Sequence, residues 1–290
     1  MLLGVPNFSE GRDRALVERI AAQFASGAEL LDVHSDPIHN RSVLTLAGEP
    51  RVLGESLVRG AGACQIMIDM RRQAGAHPRV GALDVCPVVW LTEEDREAAR
   101  AEALAVAKTI GADGIPVFLY GELATEEARS ERAFFREGGL IRLRERMGSG
   151  ELVADFGPSE PHPSAGATLV TARPPLAAFN LVLEGTTLQE ARGIAAELRE
   201  AGGGLPGVRA IGIDLGDGRM QMSTNVHDSA AIPLSAVVAR TRELAPEARL
   251  ASGEVIGLIP EAALQDWPDD VPLPGFDPAR HVIERRVKLS

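Results

Sequence analysis

Cysteine is almost missing from this chain: Cys64 and Cys86 are the only two in 290 residues. That excludes a disulfide scaffold, and both lie in apolar runs where a reduced thiol packs as a small hydrophobe. Aromatic residues make up 4% of the sequence, too few to build the ring platforms on which nucleic-acid bases stack. Basic residues number 30 against 41 acidic ones, for a formal net charge of -11. No block of lysine and arginine offers a footprint for a phosphate backbone, so nucleic acid is not an expected partner. Long apolar runs are absent too; none reaches the roughly 18 residues of a membrane-crossing helix. The amino terminus lacks the basic region, apolar stretch and cleavage site of a secretion signal. These absences together lead to the expectation of a cytoplasmic protein with no membrane partner.

What is present is an ordinary globular composition, in a chain long enough for two domains. The second half parses readily. Leu176 to Glu184 reads as a strand, and Thr187 to Glu200 carries Leu188, Ala191, Ile194, Ala195 and Leu198 at helical spacing. Strands over 208–215 and 219–225 flank Gly216-Asp217-Gly218, a hairpin connection. Pro233 suits the first turn of a helix to about Leu244, and 251–259 reads as a last strand. The order is β-α-β-β-α-β, the split β-α-β unit of ferredoxin-like domains.

The first half gives a similar order: strand 2–7, helix 12–25, strands 30–33 and 42–47, a small-residue helix over 52–61 and a strand over 64–70. Strand 82–90, a helix opened by Thr92 and Asp95 as a capping pair, and strand 116–120 extend it. The expected class is α/β (α+β), in two related subdomains, 1–174 and 175–290. Between the two patterns lies 138–173, with a helix over 140–147. Its run Gly157-Pro158-Ser159-Glu160-Pro161-His162-Pro163-Ser164-Ala165-Gly166 can continue neither a helix nor a central strand. Composition alone favours a linker over a loop held for binding.

Chemistry concentrates in 75–87. Glycines on both sides let the backbone turn, and Pro78 keeps His77 out of the helical region, presenting it from a loop. A histidine there can both accept and donate a proton near neutral pH; the alternative is a capping or surface histidine. Asp84 enters an otherwise apolar strand, where a carboxylate needs partners; it either orients His77 or satisfies backbone donors. Arg41, Arg71, Arg72, Arg79 and Arg173 lie near unusual sequence and can make a cleft positive for a small anion. Asp32, His34, Asp36 and His39 alternate along one strand end, but no further His or Cys cluster completes a ligand set, so no metal is expected.

The runs Val5-Pro6-Asn7-Phe8-Ser9-Glu10-Gly11, Asn40-Arg41-Ser42-Val43, Gly75 to Pro87, Asp155 to Ser159, Pro163-Ser164, Gly166-Ala167-Thr168, Ala178-Phe179-Asn180, Ser223-Thr224-Asn225 and Ile256 to Pro260 resemble those of the glutamate formiminotransferases. They span nearly the whole chain. The resemblance implies two ferredoxin-like subdomains whose sheets face across a substrate tunnel, His77 as catalytic acid and base, and Gly157 to Gly166 as the folate-contacting loop. It implies transfer of a formimino group from N-formimino-L-glutamate to tetrahydrofolate as co-substrate, and it allows a homodimer.

Two departures stand out. Ala165 occupies a position that is aromatic in animal members, so a stacking contact with the folate rings is either missing or supplied by Trp90 or Phe156. His34 replaces an acidic residue, for which Asp36 can substitute. The chain stops after the two subdomains, so the cyclodeaminase activity of bifunctional animal members is not expected. In the implied reaction Arg41, Asn40 and Asn180 are candidates to hold the glutamate carboxylates. Asn7, Thr224 and Asn225 would line the opposite wall, and Arg79 and Asp84 would support the site. A formyl donor, or folate binding without catalysis, are the alternatives.

Overall fold

The computed structural model describes residues 1–287, and the chain divides into two compact units, Met1–Pro174 and a second beginning at Pro175. The first unit opens on a strand broken in two, β1 (Leu2–Gly4) and β2 (Asn7–Phe8). Pro6 sits at the break and has no N–H to give a ladder. Helix α1 (Arg14–Phe24) is capped by Asp13, whose carboxylate accepts from the Leu16 amide at 3.0 Å. It buries Val17, Ile20, Ala21 and Phe24, one stripe of a 3.6-residue repeat. Strands β3 (Glu29–Asp36) and β4 (Arg41–Gly48) form a hairpin, followed by α2 (Val52–Met67) and β5 (Leu83–Trp90). Then come α3 (Arg96–Ala112), β6 (Val117–Leu119), the short α4 (Arg132–Arg136), α5 (Gly139–Gly148) and β7 (Thr168–Arg173).

The sheet order is β3, β4, the β1 and β2 pair, β5, β7, β6. β7 runs parallel to both β5 and β6. Phe8, Ile20, Phe24, Leu44, Leu46, Leu53, Leu57 and Val106 form the main core on the face covered by α1, α2 and α3. Because strand side chains alternate, Val85, Phe118 and Leu169 project to the other face. There they pack with Phe135 of α4 and Leu143 and Met147 of α5.

Three expectations for this unit are corrected. The strand expected over 64–70 is helical as far as Met67. The run of Gly, Ala and Cys before it carries no clear periodicity, yet its small side chains are what let α2 pack closely. A Cβ added at Gly60 would lie 2.1 Å from the Phe24 ring. The sixth element of the repeat is therefore β5. Thr92 makes no side-chain cap bond; a 3-10 turn over Glu93–Asp95 precedes α3. No strand was expected over 168–173, where β7 forms an inner strand of the sheet.

The second unit follows its expected order closely: β8 (Ala177–Glu184), α6 (Leu188–Leu198), β9 (Val208–Asp214), β10 (Met220–Val226), α7 (Leu234–Leu244) and β11 (Arg249–Val255). Two short helices, α8 (Pro278–His281) and α9 (Ile283–Arg286), come after. Its antiparallel sheet has the order β11, β8, β10, β9. Phe179, Leu181, Leu183 and Met222 pack with Ile194, Leu198 and Val237 of the helices. A capping box between Thr187 and Glu190 starts α6. Among the described residues no helix is long and apolar enough to cross a membrane.

Candidate active site

Strands β2 and β5 pair out of step. Asn7 lies opposite Val85 and Phe8 opposite Leu83, which leaves Asp84 as an extra residue on β5. Such a bulge turns a side chain out of the regular alternation. Here it places a carboxylate that is 0% exposed where Arg41 Nη1 donates to it at 2.7 Å and the Val80 amide at 2.7 Å. Arg136 Nη2 donates to the same carboxylate oxygen as Arg41. Burial alone would raise the Asp84 carboxyl; the Arg136 and Arg41 charges and the Val80 N–H outweigh it and hold the group far below the usual range. Arg41 also donates through Nε and Nη2 to Asn7 Oδ1, at 3.2 and 3.0 Å, and Asn7 Nδ2 in turn donates to the Val5 carbonyl at 2.8 Å. Three motifs far apart in sequence are thus tied together on one face of the first sheet.

His77 sits in the loop between α2 and β5. The loop is anchored to the β3–β4 turn: Ala76 donates to the Ile38 carbonyl at 3.2 Å. Arg79 donates to the carbonyls of Asn40 and His39 at 2.7 and 3.0 Å. Asn40 accepts from the Gly11 amide at 3.0 Å and donates to Gln73 and to the Ala74 carbonyl. The half-buried His77 ring has Nδ1 2.8 Å from the Pro78 carbonyl. A carbonyl only accepts, so Nδ1 carries the proton and Nε2 presents a lone pair. Burial, then the Arg41 and Arg136 charges, push the imidazole well below its ordinary value of 6.5, with Asp84 and the Pro78 contact opposing. The shift favours the neutral imidazole, the form a base requires. The His39 ring lies 5.8 Å away, tilted by 57°.

Asp84 does not orient His77 by a direct bond; its oxygens serve Arg41, Arg136 and Val80, so its influence on the imidazole is one of charge. Asp36 closes the β3–β4 turn, accepting from the Ile38 and His39 amides at 2.7 and 2.8 Å. Among the described residues no group of three or more His, Cys, Asp or Glu could hold a metal ion.

The proline-rich segment is built into the sheet end. Ala82 donates to the Ala165 carbonyl at 2.8 Å, and Ala167 to the Val80 carbonyl at 3.0 Å. His162 and Gly166 exchange backbone bonds of 2.8 and 2.9 Å, and His162 Nδ1 accepts from the Ala165 amide at 3.0 Å. Gly166 has φ +73°, and a Cβ there would meet the Val80 carbonyl oxygen at 2.1 Å, so only glycine fits. The linker preferred on composition is thereby overturned. Gly157, Pro158, Ser159, Glu160 and Pro163 are exposed, His162 and Ser164 half-buried, and Pro161 buried. Ala165 is buried in the main core, so its position faces inward. Trp90 cannot supply a stacking surface near His77: it is buried opposite Leu2, about 20 Å along β5 from Asp84.

In the second unit Asn180 donates to Glu254 Oε2 at 2.9 Å, on the face away from Phe179. Asn225 is half-buried two residues from Ser223, which pairs with Asn180. Thr224 is corrected: it points into the core and its hydroxyl donates to the Phe179 carbonyl at 2.7 Å. Sequence reasoning missed Arg136. Its one signal was two arginines four residues apart bracketing Ala133-Phe134-Phe135, a short helix with both ends charged.

Residues 1–173 match the formiminotransferase domain, N-terminal subdomain, and residues 178–269 match the formiminotransferase domain. The chain belongs to this formiminotransferase family. It is 35% identical over 294 residues to a glutamate formimidoyltransferase of Streptococcus pyogenes serotype M1, covering 98% of this chain and 97% of that one. It is 36% identical over 295 residues to a glutamate formimidoyltransferase of Thermoplasma acidophilum, covering 99% and 97%. A formimidoyltransferase-cyclodeaminase of Sus scrofa is 39% identical over 277 residues, and the chain spans about half of that protein's length.

Proposed function

We propose that this protein transfers the formimino group of N-formimino-L-glutamate to N5 of tetrahydrofolate, with His77 as general base and then general acid. The observation that carries the reading is His77 with Nδ1 on the Pro78 carbonyl and Nε2 left free to accept, in a loop whose Val80 amide is bonded to the Asp84 carboxylate that Arg41 and Arg136 share. The names of the Streptococcus and Thermoplasma relatives support it over nearly the full chain. The strand order of the second sheet and the β3, β4, β1, β5 order within the first support ferredoxin-like subdomains. The substrate tunnel implied by the resemblance is part of the same proposal and rests on the resemblance alone.

N5 attacks the formimino carbon, and His77 Nε2 takes the proton that N5 loses. The imidazolium so formed returns that proton to the glutamate nitrogen of the tetrahedral intermediate. The carbon–nitrogen bond to glutamate then breaks, giving 5-formimino-tetrahydrofolate and L-glutamate with no net proton exchanged. The nearby Arg41 and Arg136 charges keep the imidazolium acidic enough to give its proton up. The segment Gly157 to Gly166 is proposed to contact the folate, its fixed end at Gly166 setting where the exposed end lies. Purified protein, tetrahydrofolate and formiminoglutamate should yield 5-formimino-tetrahydrofolate and glutamate. Turnover with a formyl donor and none with formiminoglutamate would overturn the reading.

A further inference from the structure

We infer that Arg136 is the guanidinium that binds a carboxylate of the glutamate moiety of the donor substrate. This deepens the proposed function and rests on it. The sequence suggested Arg41, Asn40 and Asn180 for that task, but Arg41 and Asn40 are committed elsewhere, and Asn180, in the second unit, donates to the Glu254 carboxylate at 2.9 Å. Each of the three Arg41 nitrogens is already bonded to Asn7 or Asp84. Asn40 is bonded to Gly11, Gln73 and Ala74. Arg79 has both terminal nitrogens on backbone carbonyls.

Arg136 differs. Its side chain is only 9% exposed, it shares the Asp84 oxygen already bonded to Arg41, and its buried Nε has no hydrogen-bond partner among the described residues. Two buried guanidiniums on one carboxylate leave an excess positive charge, which an anion would neutralise. Arg129 shows what a purely structural arginine looks like in the same layer. It also leaves Nε unbonded, yet it is matched one to one by Asp155 and lies over the Phe118 and Phe135 rings. Arg136 lacks such a private counterion.

The donor's geometry selects among the available anions. In formiminoglutamate both carboxylates lie a few bonds from the nitrogen that His77 must protonate. In tetrahydrofolate the tail carboxylates are separated from N5 by the whole aminobenzoyl spacer. Arg136 is bonded to the Asp84 carboxylate, whose other oxygen accepts from Val80, three residues from His77; an arginine placed there matches the donor and not the folate tail. A guanidinium also presents two parallel N–H groups to a carboxylate, which Lys cannot do.

The test compares unmutated protein with Arg136→Gln and Arg136→Lys, measuring KM for each substrate, kcat and the calorimetric affinity for L-glutamate. Both variants should raise KM for formiminoglutamate on the order of 10- to 100-fold and weaken glutamate binding by a similar factor. KM for tetrahydrofolate should stay within about threefold. If Arg136→Gln does not fold, Arg136→Lys, which keeps a charge against Asp84, decides. Unchanged KM for formiminoglutamate in that variant, or equal rises for both substrates, overturns the assignment while leaving the proposed function standing. Absence of turnover in unmutated protein overturns both.

Discussion

Arg41 and Asp84, 43 residues apart in sequence, meet through a 2.7 Å bond between a guanidinium and a carboxylate that is entirely shut off from solvent. Removing one partner of such a pair leaves a buried charge uncompensated, typically a loss of about 3 to 5 kcal/mol. Asp84→Ala, which strands both Arg41 and Arg136, should lower the midpoint of thermal unfolding by on the order of 10 °C. A shift of a degree or two would show that the cluster is not held as described. The sign in pH follows from the depressed Asp84 value. Its contribution is complete above the unfolded carboxyl value of about 3.9 and is lost as pH falls below it.

His77→Asn should lower kcat on the order of 100- to 10,000-fold with small changes in either KM, since a proton relay acts in the transition state. Asparagine keeps a polar group but cannot exchange a proton near neutral pH. Retention of most of the turnover at saturating substrate would reduce the 75–87 motif to a structural turn.

The pH profile offers a check without mutation. Because burial and the two arginines depress His77 below 6.5, the acid limb of kcat/KM should fall below that pH, with the neutral form active above it. Loss of the Arg136 charge in Arg136→Gln should move the limb upward. An acid limb above 6.5 in the unmutated protein would contradict the electrostatic picture. Unfolding carries the same sign: His77 is neutral in both states above about 6.5 and costs nothing there, and its burial costs stability as pH falls through the unfolded value toward the folded one.

Much of this site was legible in sequence because it is built from glycine, proline and short polar runs, which announce turns wherever they occur. The loop position of His77 was read that way. In the second unit, alternating strands and the Gly216-Asp217-Gly218 turn marked nearly every element, because one face is covered by helices and the other is more polar. Asp84 was visible only as a misfit in an apolar strand. Its direction depends on a bulge set by pairing with Asn7 and Phe8, which no local pattern encodes. Arg136 is 52 residues from Asp84, a relation fixed by tertiary packing alone. The error at Cys64 to Met70 came from an apolar run whose small residues fit helix and strand equally well.

Gly166→Val should test the fixed end of the proposed folate segment. The added carbons meet the Val80 backbone, and the left-handed conformation disfavours a β-branched residue. KM for tetrahydrofolate should rise more than KM for formiminoglutamate; equal rises would indicate general damage.

Cys64 and Cys86 are buried and free, and burial pushes the Cys86 thiol up to about 12. Neither should react with a thiol reagent in native protein, and both should react after unfolding. Activity should not depend on reductant. Fast labelling of either cysteine in the native state would mean that the core opens at α2 or β5.

The strand that completes the first sheet is the last one to be synthesised. β7 lies between β5 and β6 and is parallel to both, so until residue 173 has left the ribosome those two strands present unfilled backbone donors and acceptors to their surroundings. Chains released before that point would end the sheet at an open β5 edge and leave β6 without its strand partner. Truncated products ending in the proline-rich segment should therefore be prone to aggregation and be recovered with chaperones, whereas a fragment ending just after Arg173 should remain dispersed.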